Sequence, residues 1–150
     1  NGKTLILSGA KDFIQLQKFS NVSQYSPITK KFVNGIDPRI YLDEHVLKGD
    51  SSDGIPNVLS PDNTFVNGIR QRPLSRKKIQ NMVEGEFPND EVKRNYQRNK
   101  KLIDLKESPP ELFLEILKEY QMAPEGDRSK LLNYFIQKRL RNLVESIGEF

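Results

Sequence analysis

The apolar positions of this chain change period along its length, and each period predicts a different element. Thr4-Leu5-Ile6-Leu7 is a short continuous apolar run closed by Ser8-Gly9, the pattern of a strand buried on both faces in a parallel sheet. One such strand cannot stand alone, so its sheet neighbours are expected ahead of Asn1. The opening Asn1-Gly2-Lys3, without an initiating Met, carries the same expectation of a missing front part. Asp12-Phe13-Ile14-Gln15-Leu16 reads as a helix start with Asp12 and Gln15 at capping-box spacing. Extended pieces at Val22 to Tyr25 and Lys31 to Val33 predict a hairpin at the sheet edge.

From Asp37 the spacing turns helical. Asp37-Pro38 is a cap followed by a first-turn proline, and Ile40, Tyr41, Val46 and Leu47 form an apolar face that ends at Gly49. A loop rich in Asn, Pro and Gly then runs to Pro73. Ser75 predicts the cap of a helix carrying Ile79, Met82 and Val83 before Gly85, and Asn89-Asp90 opens another with Val92, Tyr96, Leu102 and Ile103. Ser108-Pro109-Pro110-Glu111 starts a third, whose Leu112, Phe113, Ile116 and Leu117 recur at helical spacing up to Pro124. A last helical region uses Leu131, Leu132, Phe135, Ile136, Leu140, Leu143, Val144 and Ile147. Such stripes are expected to be core, with partner docking, hinted at by the terminal Phe150, as the other reading. The fold class is α/β in front and helical behind, without internal repeats.

At 150 residues the chain supports one domain with a real core, or part of a larger one. The formal charge of +4 favours a polyanionic partner, and it is concentrated. Between Arg70 and Lys101 there are ten Lys and Arg against four Asp and Glu, which points to one basic face. The absence of cysteine excludes disulfides, thiolate zinc sites and thiol catalysis. No apolar run approaches the ~20 residues of a membrane span, so a soluble, cytoplasmic protein is expected.

Two carboxylates, Asp50 and Asp53, stand three residues apart beside Gly49 and Gly54. They offer hard oxygen ligands of the kind magnesium prefers, and the intervening amides can approach a phosphate. An ordinary polar turn accounts for the same residues. Asp12 follows a parallel strand, where doubly wound sheets place their ligands, yet Asp is also a favoured helix cap. Arg70, Arg72, Arg76, Lys77 and Lys78 would neutralise several phosphates, or simply be a solvated face. Lone His45, with no paired nucleophile, is expected in a surface or packing role.

The segment Gly49-Asp50-Ser51-Ser52-Asp53-Gly54-Ile55-Pro56 resembles the helix-three-turn-helix signature of the flap endonuclease and 5′-exonuclease superfamily, a Gly-Asp-x-x-Asp-Asn-x-Pro run. Leu7 to Leu16 resembles the superfamily's Ser-Gly-Asp-x-Asp-phenylalanine/leucine-x-Gln-Leu motif. Asn21-Val22, Tyr25-Ser26-Pro27, Leu47-Lys48-Gly49-Asp50, Leu102-Ile103-Asp104 and Ser146-Ile147-Gly148-Glu149-Phe150 extend the likeness to its phage ribonuclease H subgroup.

This resemblance implies the carboxyl-terminal part of a PIN-like 5′-nuclease fold. Residues 1–36 would end its α/β core, and residues 37–150 would form a helical DNA-binding region with a helix-hairpin-helix at 37–70. It implies one or two parallel strands and two Mg2+ (or Mn2+) sites serving phosphodiester hydrolysis. Asp12, Asp50 and Asp53 would be metal ligands, Asp12 and Asp53 contributing chiefly to the second site, and Lys11 would touch the scissile phosphate. Gly49, Ser51, Ser52, Gly54 and Ile55 would grip duplex backbone, with K+ held by hairpin carbonyls. The remaining carboxylates would lie on earlier strands. Ala10 departs from the motif, since a methyl group stands where the first aspartate belongs.

The implied activity is removal of RNA primers and adjacent DNA during lagging-strand replication, in the host cytoplasm if phage-encoded. Duplex or flap DNA, RNA–DNA hybrid, a single-stranded-DNA-binding protein and a sliding clamp are the implied partners. The alternative is a duplex-DNA-binding module without catalysis. A helical interaction protein with an incidental basic face is the weakest reading.

Overall fold

A computed structural model describes residues 2–122 and 130–149, which divide into two compact units, Asn1–Ser108 and Pro109–Phe150. The first unit opens with a three-stranded sheet in the order β1 (Thr4–Leu7), β2 (Val22–Ser26), β3 (Lys31–Phe32). β1 runs parallel to β2 with Thr4 opposite Val22, and β2 runs antiparallel to β3 with Tyr25 opposite Phe32. The expected edge hairpin is therefore β2–β3, and the rings of Tyr25 and Phe32 meet edge-on at 5.2 Å. β1 is not buried on both faces, contrary to its apolar run: Leu5 is 51% and Leu7 67% exposed. As the outer strand of this sheet it has one neighbour, which follows it in sequence.

Residues Lys11–Lys18 between β1 and β2 form a 3-10 helix, and the capping box expected there is absent. Ala10 occupies the cap position and its side chain makes no cap bond. Gln15 is buried instead of reaching back: its Nε2 donates to the Ile103 carbonyl at 2.9 Å and its Oε1 accepts from the Leu105 amide at 3.2 Å. Two buried backbone groups that need partners outweigh one solvent-exposed cap bond.

Helix α1 (Pro38–Lys48) starts as its sequence predicts, with the Asp37 carboxylate accepting from the amides of Arg39 at 2.8 Å and Ile40 at 3.1 Å. Val46 and Leu47 are buried on it, whereas Ile40 is exposed. Gly49 ends the helix with φ +68, and a Cβ there would collide with the Ile55 and Pro56 backbone. Beyond it a tight hairpin closes through the Ile55 amide, which donates to the Asp50 carbonyl at 2.7 Å. Residues 59–75 are turns and coil, so no second helix falls within 37–70. The next helix is α2 (Arg76–Val83), capped by Ser75, and then α3 (Asp90–Ile103), capped by Asn89. Leu47, Val58, Ile79, Met82 and Val92 form one apolar cluster, and Val46, Ile55 and Ile103 a second.

The buried face of α3 is partly polar. Asn95 Nδ2 donates to the Val58 carbonyl at 3.0 Å, and Asn99 Nδ2 donates to the carbonyls of Val46 and Pro56, both at 2.9 Å. Val46 lies in the last turn of α1, where carbonyls lose their helical partners. Two asparagines four residues apart thus satisfy the end of α1 and the far side of the hairpin from one helix face.

In the second unit, α4 (Pro110–Met122), α5 (Leu131–Gln137) and α6 (Arg141–Glu145) match the helical spacing, while the expected burial is met at Phe135, in part at Leu131, Val144 and Ile147, and not on α4. Leu112, Phe113, Ile116 and Leu117 are all exposed, and α4 buries nothing among the described residues. The last helical region breaks where Arg139 takes φ +55 and the Leu140 amide returns to the Phe135 carbonyl at 2.9 Å. Asn1, the helix end expected at Pro124, and Phe150 lie outside the described residues. No described helix is long and apolar enough to cross a membrane.

Replacing Asn99 by Leu takes the side-chain donor from the buried Val46 carbonyl and one of two donors from the Pro56 carbonyl, which keeps Arg98, so we expect a loss of roughly 1–3 kcal/mol in urea unfolding. Gly49→Ala is expected to cost more than about 2 kcal/mol, from the positive φ together with the collision. Gly54→Ala, at φ +75 but facing open space, should cost about 1 kcal/mol in the same assay.

Candidate metal and nucleic-acid site

Asp12 is carried by the 3-10 helix just beyond the carboxyl end of β1, and buried amides hold that segment in place. Gln24, on β2, donates its Nε2 to the carbonyls of Ser8 and Ala10, both at 2.8 Å, fixing the loop that leads into Asp12. Gln15 ties the other side of the segment to the end of α3. Neither glutamine stands out in the sequence as a site residue, because each acts through partners that are distant along the chain.

Asp50 opens the hairpin, and its two oxygens are put to separate uses. Oδ1 accepts from the Ser52 amide at 2.9 Å and from the Ser52 hydroxyl, while Oδ2 lies 3.1 Å from His45 Nε2. The Ser52 hydroxyl holds the Asp50 carboxyl below the usual carboxylate range, with His45 and the amides of Ser52 and Asp53 adding to it against the opposing effect of burial. The turn that fixes Asp50 thereby stabilises its charged form.

Asp12, His45 and Asp50 converge. Each offers one ligand atom, and these atoms all lie within 4.8 Å of one another. Segments separated by more than thirty residues thus bring two carboxylates and an imidazole to one place. Tyr41 stands beside them, its ring 5.4 Å from that of His45. Its hydroxyl pKa is raised by burial first, and then by the charges of Asp12 and Asp50. A recess of about 360 Å3 opens here, lined by Lys11, Tyr41, His45, Lys48, Asp50 and Ser51 among others.

The donor set suits a divalent cation, because two carboxylate oxygens and an imidazole nitrogen are common ligands and together supply net negative charge. His45 Nδ1 is buried without a hydrogen-bond partner. With the Asp50 carboxyl held in its charged form, the Nε2 that faces it is the donor, and an ion held between them would take the place of that hydrogen bond. His45, expected in a surface or packing role, sits inside this cluster. Its five-residue spacing from Asp50 across a helix end gives no periodic signal. Asp53 is exposed in the turn and belongs to no such cluster among the described residues. Lys11 is exposed beside Asp12.

The hairpin residues Gly49, Ser51, Ser52, Gly54 and Ile55 form one continuous turn. The Gly54 amide donates to the Ser51 carbonyl at 3.4 Å, and Gly54 has φ +75. Arg70, Arg72, Arg76, Lys77 and Lys78 are all exposed, and none joins an ion pair among the described residues. The remaining cations of the charge-rich stretch are used differently. Arg94 and Arg98 both bond to Asp62, and Arg98 Nη2 also donates to the Pro56 carbonyl at 3.2 Å. The single basic face read from charge counting thus contains an exposed cluster at 70–78 without ion pairs among the described residues, and on α3 the Arg94 and Arg98 pair tied to Asp62, with Lys100 beside Glu107 and Lys93 and Lys101 exposed.

The ribonuclease H of Enterobacteria phage T4 is 31% identical over 159 residues, an alignment that covers 99% of this chain and 52% of that protein. The chain thus spans about half the length of the curated relative it matches. The family described as T4 RNase H, C terminal, matches residues 37–150, from the cap of α1 to the last residue, and the chain belongs to that family.

Proposed function

We propose that this chain is the carboxyl-terminal part of a 5′-to-3′ exonuclease and flap endonuclease that removes RNA primers and adjacent DNA in lagging-strand replication. The observation that carries the reading is the convergence of Asp12 with Asp50 at the head of the tight hairpin that Ile55 closes. In this reading residues 1–36 close the nuclease core, and residues 37–150 hold the duplex. Asp12 and Asp50 hold a divalent ion, with Asp53 on the substrate side of the turn. Bound there, Mg2+ or Mn2+ supplies positive charge that acidifies water and offsets charge on the departing oxygen.

Lys11, on the rim, contacts the phosphate to be cut. The turn from Gly49 to Ile55 presents amides to the backbone, and its carbonyls suit K+. Arg70, Arg72, Arg76, Lys77 and Lys78 neutralise phosphates without reading bases. Duplex or flap DNA and RNA–DNA hybrid are the substrates. A single-stranded-DNA-binding protein and a sliding clamp are the partners in replication, and the host cytoplasm is the setting. Ala10 favours a second reading, a duplex-binding module without catalysis, because a methyl group can neither ligate the ion nor balance its charge.

Cleavage of a 5′-labelled flap or RNA–DNA duplex with magnesium, using the full-length protein, separates the two. We expect Ala10→Asp to cut at least tenfold faster than the Ala10 protein; binding by both with cutting by neither would leave only the module. Duplex binding should weaken with salt at about 0.9 per neutralised phosphate on a log–log plot. The triple replacement of Arg76, Lys77 and Lys78 by Ala should reduce that slope by roughly 2–3, whereas Arg94→Ala should leave it within about 0.5.

A further inference from the structure

We propose that His45 is a nitrogen ligand of the metal site and turns its preference from magnesium toward ions that accept imidazole, such as cobalt(II) or zinc(II). The inference rests on the metal-centre reading above and goes beyond it in naming the ligand and the ion. Three observations support it. His45 Nε2 faces Asp50 Oδ2 at 3.1 Å and shares one cluster with Asp12, so any ion held by both carboxylates lies within reach of the ring. The ring is preorganised: its side chain is only 11% exposed, and Tyr41 packs beside it. A recess lined by Lys11, Tyr41, His45 and Asp50 opens onto the cluster and gives an ion a way in.

The chemistry of the donors sets the selectivity. Magnesium demands oxygen ligands and gives up water reluctantly, whereas cobalt and zinc gain from a nitrogen donor. Ala10 removes one oxygen that the sequence motif would supply, and His45 brings the cluster to three donors. Among the described donors, a neutral ring beside two carboxylates carries less negative charge than a third carboxylate would, which disfavours a hard ion further. Ligating histidines usually donate their other N–H to a partner, and Nδ1 has none, so the binding should be of moderate strength.

The test is calorimetric titration of the metal-free full chain with Co2+ and, separately, Mg2+, together with the visible spectrum of the cobalt form. We expect Co2+ to bind at least about tenfold tighter than Mg2+. His45→Gln should weaken Co2+ about tenfold and shift its visible band while leaving Mg2+ within about threefold. His45→Asp should narrow the gap between the ions by making all donors oxygen. Thermal melts confirm folding, with His45→Asn as the substitute should the Gln variant unfold. Unchanged Co2+ affinity and spectrum in His45→Gln, with both ions weakened by Asp12→Asn, would reduce His45 to a hydrogen-bond partner of Asp50 and leave the metal centre standing. Failure of either ion to bind the wild-type chain would overturn the metal-centre reading as well.

Discussion

The side-chain amide of Asn99 lies fully buried on α3 between the carbonyls of Val46 and Pro56, which belong to the two arms flanking the hairpin. A buried amide must be paired, and so must the last carbonyls of a helix. One side chain meets both requirements, and the hairpin cannot shift against α3 without orphaning three polar groups. Gln15 applies the same rule one turn further along, where it joins the Asp12 segment to the Ile103 carbonyl at the end of α3. The separation of Asp12 and Asp50 is therefore set by a third element that touches neither carboxylate. Apolar packing of Val46, Ile55 and Ile103 surrounds this polar seam and excludes the water that would otherwise compete for its bonds.

Electrostatics follow from that frame. Two carboxylates held close repel one another, and His45 and Ser52 are the groups that moderate the repulsion in the free protein. A cation would do so more strongly. Arg94 and Arg98 of α3 are spent on Asp62 and, for Arg98, the Pro56 carbonyl, whereas the cations at 70–78 remain exposed. Charge near the hairpin is thus divided between holding its shape and meeting a polyanion.

Sequence signals that act over one turn were legible. Asp37, Ser75 and Asn89 each cap the helix that their spacing predicts, and Gly49 ends α1 where a left-handed residue is required. Asp12 and Gln15 show the limit of such reasoning: their spacing fits a capping box, but the partners that win Gln15 lie some ninety residues away. Asn95 and Asn99 read as ordinary polar helix positions for the same reason. The apolar stripe of α4 gives its helical period correctly, since period depends on neighbours along the chain, while burial depends on what packs against it. The place of His45 in the cluster was not legible because it comes from convergence in space, and a single histidine carries no pattern.

The division of labour between the two oxygens of Asp50 has a kinetic and entropic side. Ser52 immobilises Oδ1 within the turn, so the carboxylate is already aimed when an ion arrives. Rotamer freedom was surrendered when the chain folded and is not lost again on binding. In the proposed metal centre the donors would then set which ion is preferred, while the rate of exchange should follow the ion's own dehydration.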